Sequence, residues 1–212
     1  MTKFILIILD GFGLREETKG NAYKLANTPE IDRLLNECSM VPIETSGRFV
    51  GLPDGIMGNS EVGHMNLGAG RIVKQDLVKI NDDIKSNTLK DKPQLDQLFN
   101  HVKKQNSTLH LAGLLSDGGV HSHIDHLKYI LKSSKEFGLN KVHIHAFMDG
   151  RDTAPDIGIN YIDELENEIN KIGIGKITTV CGRYYAMDRD KRWDRIELAY
   201  NMFINGIGEK FE

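Results

Sequence analysis

From residue 108 onward the sequence repeats one order: an apolar run, a polar turn with glycine, then a helical stripe. Residues 108–115 end in Ser116-Asp117-Gly118-Gly119, Val142–Met148 ends in Asp149-Gly150-Arg151-Asp152, and residues 176–181 end in Gly182-Arg183. Short apolar runs bounded by turn residues read as strands buried on both faces. Strands that alternate with helices need crossovers, and crossovers in one sheet are right-handed. The spacing therefore predicts an α/β fold, a parallel-sheet sandwich with helices on both faces. The helices are expected through Leu127, Ile130 and Leu131 as far as Gly138, from about Asp156 to Lys171, and from about Trp193 to Asn205.

The first third of the chain is written differently. Residues 4–9 form an apolar run closed by Asp10-Gly11-Phe12-Gly13, which reads as a buried strand and is too short to span a membrane. Thr28 is placed to cap a helix, Pro29 suits its first turn, and Ile31, Leu34, Leu35 and Cys38 recur at helical spacing. The stretch IMGNSEVGHMNLGAG, residues 56–70, is too rich in glycine for a helix interior and too polar for a buried strand, so it reads as a loop presenting Ser60. Residues 75–104 read as mostly helical, with Leu95, Leu98, Phe99 and Val102 on one stripe. The change near residue 75 divides the chain into 1–74 and 75–212. A lone strand in 1–74 would have too few partners to bury both faces, so part of that domain is expected to be absent.

A net charge of −3 with no basic block excludes nucleic acid as the default partner. The two cysteines, Cys38 and Cys181, form no close pair, which fits a reducing, cytoplasmic setting better than a disulfide framework.

In parallel α/β sheets ligands bind beyond the carboxyl ends of the strands. There the topology gathers His121, Arg151, Arg183 and Arg189 along one basic crevice. Arginine's planar fork suits phosphate and carboxylate, and Asp152 can orient that fork or accept a substrate hydroxyl. The crevice points to a small phosphorylated or carboxylated ligand; the alternative is arginines in ordinary surface ion pairs. His121, His123 and His126 allow a zinc reading, although Ser122 is placed to cap a helix and the three rings need not converge. Asp10 either caps its turn or offers a metal a carboxylate. Ser60 is a candidate nucleophile that needs a base or a metal to activate it, or else a plain loop serine. GxxxxGK[ST] and GxSxG are both absent, so neither a P-loop nor a hydrolase elbow is present.

Taken together, ILDGFG, MGNSEVGHMNLGAGR, SDGGVHSH, DGRD and GRYYAMDRD closely resemble the cofactor-independent phosphoglycerate mutases, in order and over essentially the whole chain. The resemblance implies a metal-binding domain of the alkaline phosphatase superfamily, with a substrate-gripping transferase domain inserted into it. It implies residues 1–74 as the first piece of the former and 75–212 as a truncated part of the latter, joined by a hinge near residue 75. Ser60 matches the nucleophile that becomes phosphoserine. Asp10 and Ser60 match ligands of one of two divalent metals, commonly manganese. His121, Arg151, Asp152, Arg183 and Arg189 match substrate-binding residues. The implied reaction interconverts 3-phosphoglycerate and 2-phosphoglycerate in glycolysis and gluconeogenesis without 2,3-bisphosphoglycerate. The later aspartate and histidine ligands, further arginines and a lysine have no counterpart in these 212 residues. The isolated chain is therefore expected to hold metal weakly or not at all, and to be inactive without the missing C-terminal portion. Two rivals remain: an anion-binding module that grips phosphoglycerate without turnover, and a zinc hydrolase built on the histidine cluster.

Overall fold

In the computed structural model, which describes residues 3–210, the apolar run at 4–9 is not a strand. It carries no strand assignment and is exposed throughout, Phe4 at 86%. The expected buried strand is corrected for a simple reason. A strand needs a neighbour to take its backbone groups and cover its faces, and the described sheet is built elsewhere.

The chain divides into two compact units, Met1–Val78 and Lys79–Glu212. In the first, helix α1 (Ala22–Leu25) is capped by the Asn21 side chain. Helix α2 (Pro29–Glu37) begins after Thr28 as expected, but the Thr28 hydroxyl donates to Asp32 at 3.2 Å and caps nothing. Its apolar stripe has no buried residue. A short 3-10 turn follows at Gly47–Val50.

The expected loop around Ser60 is also corrected: Ser60–Ala69 is helix α3, with Ser60 its first residue. The end signals outweigh the glycines inside it. Asn59 Oδ1 accepts the Val62 amide at 3.1 Å, Glu61 lies in the first turn where the helix dipole favours an anion, and Gly70 closes the helix at φ 62°. Neighbouring glycines serve backbone crossings instead. A Cβ on Gly51 would lie 2.0 Å from the Val73 carbonyl oxygen, and one on Gly58 1.8 Å from that of Thr45. Replacing Asn59 with alanine is expected to cost α3 about 1 kcal/mol. Its amides should then exchange about fivefold faster; unchanged exchange would mean that the cap contributes nothing.

Helix α4 (Asp76–Lys85) leads to α5 (Pro93–Lys104), whose stripe buries Phe99 and Val102. Strand β1 (Leu109–Leu115), α6 (Ile124–Glu136), β2 (Val142–Met148), α7 (Gly158–Ile172), β3 (Lys176–Gly182), α8 (Arg183–Ala186) and α9 (Trp193–Asn205) then follow. The strands pair parallel in the order β1-β2-β3. Register runs from Leu109 opposite Val142 to Leu115 opposite Met148, and shifts once against β3 between Ile144 and His145.

Alternation of side chains gives the sheet two faces. Leu109, Leu115, Val142, Ile144, Ala146 and Ile177 join Leu131 of α6, Leu165 of α7 and Phe99 of α5 in one core. On the other face Phe203 of α9 packs against His145 and Phe147 at 5.4 and 5.6 Å between ring centroids. The fold is thus mixed α/β, a three-stranded parallel sheet flanked by helices. Among the described residues no helix is long and apolar enough to cross a membrane.

Candidate functional site

The turns that leave β1, β2 and β3 come together at the carboxyl end of the sheet. They surround a cleft of about 420 Å³ with His121, Arg151, Arg183 and Arg189 on its lining. Asp152 joins them through Arg183, whose Nη1 lies 2.6 Å from Asp152 Oδ2 and 2.8 Å from Asp149 Oδ1. His121 Nε2 stands 3.9 Å from Asp152 Oδ2, so a charge on that ring would face a carboxylate. The β1 and β2 turns touch closely: a Cβ on Gly118 would sit 3.2 Å from Thr153 and 3.3 Å from the Asp152 side chain. The Tyr161 hydroxyl donates to Asp117, tying the β1 turn to α7.

Sequence reasoning did not single out the hub of this arrangement. Asp149 is 1% exposed at its side chain. Its Oδ2 accepts the Ser116 hydroxyl at 2.7 Å. Its Oδ1 accepts the amides of Arg151 and Asp152 at 3.1 and 3.0 Å, besides Arg183. Burial pushes its carboxyl up, but the hydrogen bonds from Ser116, Asp152, Arg183 and Arg151 outweigh burial and bring it to about 2. The DGRD motif announced a turn; nothing in it told that its first carboxylate points inward.

One further lining residue, Arg195, carries no strand-end signal of its own. Arg195 lies in the first turn of α9, its guanidinium 3.8 Å over the Tyr184 ring and 3.6 Å from Asp188 Oδ1. Asp188, 3% exposed at its side chain, accepts the amides of Asp190 and Arg192 and so folds the turn that carries Arg189. Arginine on an aromatic face gains both stacking and charge. The lining holds four arginines against three aspartates, so opposite charges nearly balance and recognition depends on where the forks point.

The depressed carboxyl of Asp149 has a signed consequence. A group whose folded pKa falls below its ordinary 3.8 stabilises the fold above that value, and loses the contribution as pH falls toward about 2. Asp149 is expected to contribute about 2 kcal/mol near neutrality. In urea unfolding, the stability gap between the wild type and Asp149→Asn should close between about pH 4 and about pH 2. A gap that stays constant across that window would contradict the assignment.

The other histidine candidates, His123 and His126, do not line this cleft. Ser122 is not the cap of α6; it donates to the Leu114 carbonyl, and His123 is the cap, its Nδ1 accepting the Asp125 amide at 3.2 Å. His126 turns to Asn81, with 2.6 Å between Nε2 and Oδ1, and burial lowers its pKa. His121, His123 and His126 therefore do not converge as a zinc site would require. Among the described residues no three His, Cys, Asp or Glu are disposed to hold a metal ion.

Asp10 and Ser60 belong to the first unit, where both are exposed. Ser60 Oγ lies 3.2 Å from His64 Nδ1, which is itself 2.8 Å from the Ser60 carbonyl oxygen. A nitrogen that donates to that carbonyl cannot accept the hydroxyl proton, so His64 is not poised as a base through Nδ1.

Comparison with known proteins gives this geometry a context. The family model described as "BPG-independent PGAM N-terminus" matches residues 80–212. A 2,3-bisphosphoglycerate-independent phosphoglycerate mutase from Clostridium perfringens (strain SM101 / Type A) is 55% identical over 206 residues, 97% of this chain and 40% of its own length. The like-named protein of Staphylococcus saprophyticus is 55% identical over 207 residues, 98% of this chain and 41% of its own. A Leishmania mexicana phosphoglycerate mutase, solved at low cobalt concentration, superposes with a TM-score of 0.72 at 35% identity, covering 96% of this chain and 39% of that one. The chain thus spans about 40% of the length of the curated relatives it matches.

Proposed function

Since the chain belongs to the family of the 2,3-bisphosphoglycerate-independent phosphoglycerate mutase N-terminus, we propose that its cleft grips phosphoglycerate for the interconversion of the 3- and 2-phosphate esters. The observation that carries this reading is the meeting of His121, Arg151, Arg183 and Arg189 around one cleft at the strand ends. The arginine forks take the phosphate and the carboxylate, and Asp152 accepts a glycerate hydroxyl. Such a grip lets the glycerate turn between two phosphoryl transfers while its anionic groups stay held.

Ser60 is the phosphoryl acceptor in this reading. The phosphoryl group passes from the 3-oxygen to Ser60 Oγ, and the serine proton ends on the glycerate. It then returns to the 2-oxygen as the serine regains a proton. No 2,3-bisphosphoglycerate is needed. Position at the start of α3 gives Ser60 an electrostatic setting that favours a phosphate.

Asp10 and Ser60 are proposed as ligands of one of two divalent metals, manganese by family likeness; the Leishmania mexicana protein was solved at low concentration of cobalt, another divalent ion. Two oxygen donors do not complete a coordination shell, and no other described group completes it here. No step through a metal follows from these residues alone. We accordingly infer that residues 1–74 are one piece of the metal-binding domain and 75–212 part of the inserted domain. The remaining polypeptide supplies the other ligands, the setting is cytoplasmic, and the 212 residues alone bind substrate without turnover.

Titration calorimetry of the chain with 3-phosphoglycerate tests the grip. Arg151→Ala should weaken binding by about 10- to 100-fold, the worth of a charge-assisted hydrogen bond. Equal binding by the variant, or no heat with the wild type, would refute it.

A further inference from the structure

The carboxylate at the centre of the cleft is bonded to all three strand ends and is almost wholly buried by them. We propose that Asp149 is a positioning residue that sets the spacing of the anion-binding forks, so that the cleft prefers a phosphate ester with a second anionic arm over a bare phosphate ion. This inference rests on the phosphoglycerate reading above and specifies what gives that site its selectivity.

The geometry carries it. β1 is tied to Asp149 through the Ser116 hydroxyl, the β2 turn through the Arg151 and Asp152 amides, and β3 through Arg183. Each oxygen of the carboxylate serves a different part of the site. Oδ2 holds the end of β1, while Oδ1 holds both the turn that carries Arg151 and the guanidinium of Arg183. Arg183 Nη1 is committed to Asp149 and Asp152, which fixes the plane of its guanidinium. With the Arg151 backbone and the Arg183 guanidinium both referenced to one buried group, the turn from which Arg151 reaches and the place of the Arg183 charge are set before a ligand arrives. Preorganisation of that kind favours a ligand whose two anionic groups match the spacing. A single small anion needs only one fork and gains nothing from it.

Charge alone predicts the opposite sign. Removing a carboxylate from a nearly balanced lining raises its positive potential and should tighten every anion. If Asp149 sets spacing, its loss weakens the two-armed ligand selectively.

The experiment measures dissociation constants of the 212-residue chain for 3-phosphoglycerate and for inorganic phosphate at neutral pH. It compares the wild type, Asp149→Asn and Ser116→Ala. Asparagine keeps the shape and oxygen acceptor, and alanine at 116 keeps the charge but frees one carboxylate oxygen. Melting curves identify folded variants, and Ser116→Ala decides should Asp149→Asn not fold. Expected is a fall of about tenfold in the preference for 3-phosphoglycerate over phosphate in the folded variants. An unchanged preference, or equal tightening of both ligands, overturns the positioning role while leaving the phosphoglycerate reading intact. A wild type that binds phosphate but not 3-phosphoglycerate overturns both.

Discussion

Replacing Arg183 with alanine should lower the stability of the Lys79–Glu212 unit by about 3 kcal/mol and its melting temperature by about 10 °C. Arg183 is 12% exposed at its side chain and is held by two carboxylates, of which Asp149 is the more deeply buried. Removing one partner of a buried pair leaves the other charge uncompensated, which costs more than the pair itself contributes. Asp149 would keep three hydrogen bonds, from Ser116 and two backbone amides, and that places the effect at the low end of the range for such losses. The remaining bonds oppose burial less well, so the Asp149 carboxyl should rise and the acid limb of stability should move to higher pH. Arg183→Lys should recover only part of the loss, because an ammonium is a point charge without a planar fork. Thermal and urea unfolding measure all of this, and an unchanged melt would show that the cluster is not held by its central pair.

Ser60→Ala should abolish turnover wherever the chain is completed into an active enzyme. Combined with the remaining C-terminal part of a family member, manganese and no 2,3-bisphosphoglycerate, the wild-type chain is expected to convert 3-phosphoglycerate; alone it should not. With Ser60→Ala the assembled enzyme should lose activity by roughly 10⁴-fold or more, as nucleophile removal does. Local structure gives the test its force. Ser60 follows the Asn59 cap in the first turn of α3, where alanine is a good helix former, so the helix should survive. Loss of activity with intact helicity then reports chemistry. Turnover by the 212 residues alone, or by the serine-less assembly, would remove Ser60 or the missing ligands from the account.

How legible each part was depended on where its partners lie. β2 and α9 have the bounds that periodicity suggests, and β1 and β3 differ by a residue at one end, because the packing that makes them is coded nearby. Residues 4–9 have the composition of a buried strand but no cover in the described structure, since burial is a property of neighbours. Residues 60–69 read as loop because glycines disfavour a helix interior, yet Asn59 and Gly70, the two end signals, fix α3. In the cleft, Arg151, Arg183 and Arg189 were readable from strand-end position. Asp149 and Arg195 were not, because the direction of a side chain on a turn depends on contacts from other strands.

The most direct measurement is amide shift mapping of the isotope-labelled 212-residue chain during titration with 3-phosphoglycerate. The account predicts saturable shifts at residues 118–121, 149–152 and 182–189, the turns that carry His121, Arg151, Arg183 and Arg189. Saturable binding with these turns silent, and shifts instead on the sheet face around His110, His143 and His145, would contradict it.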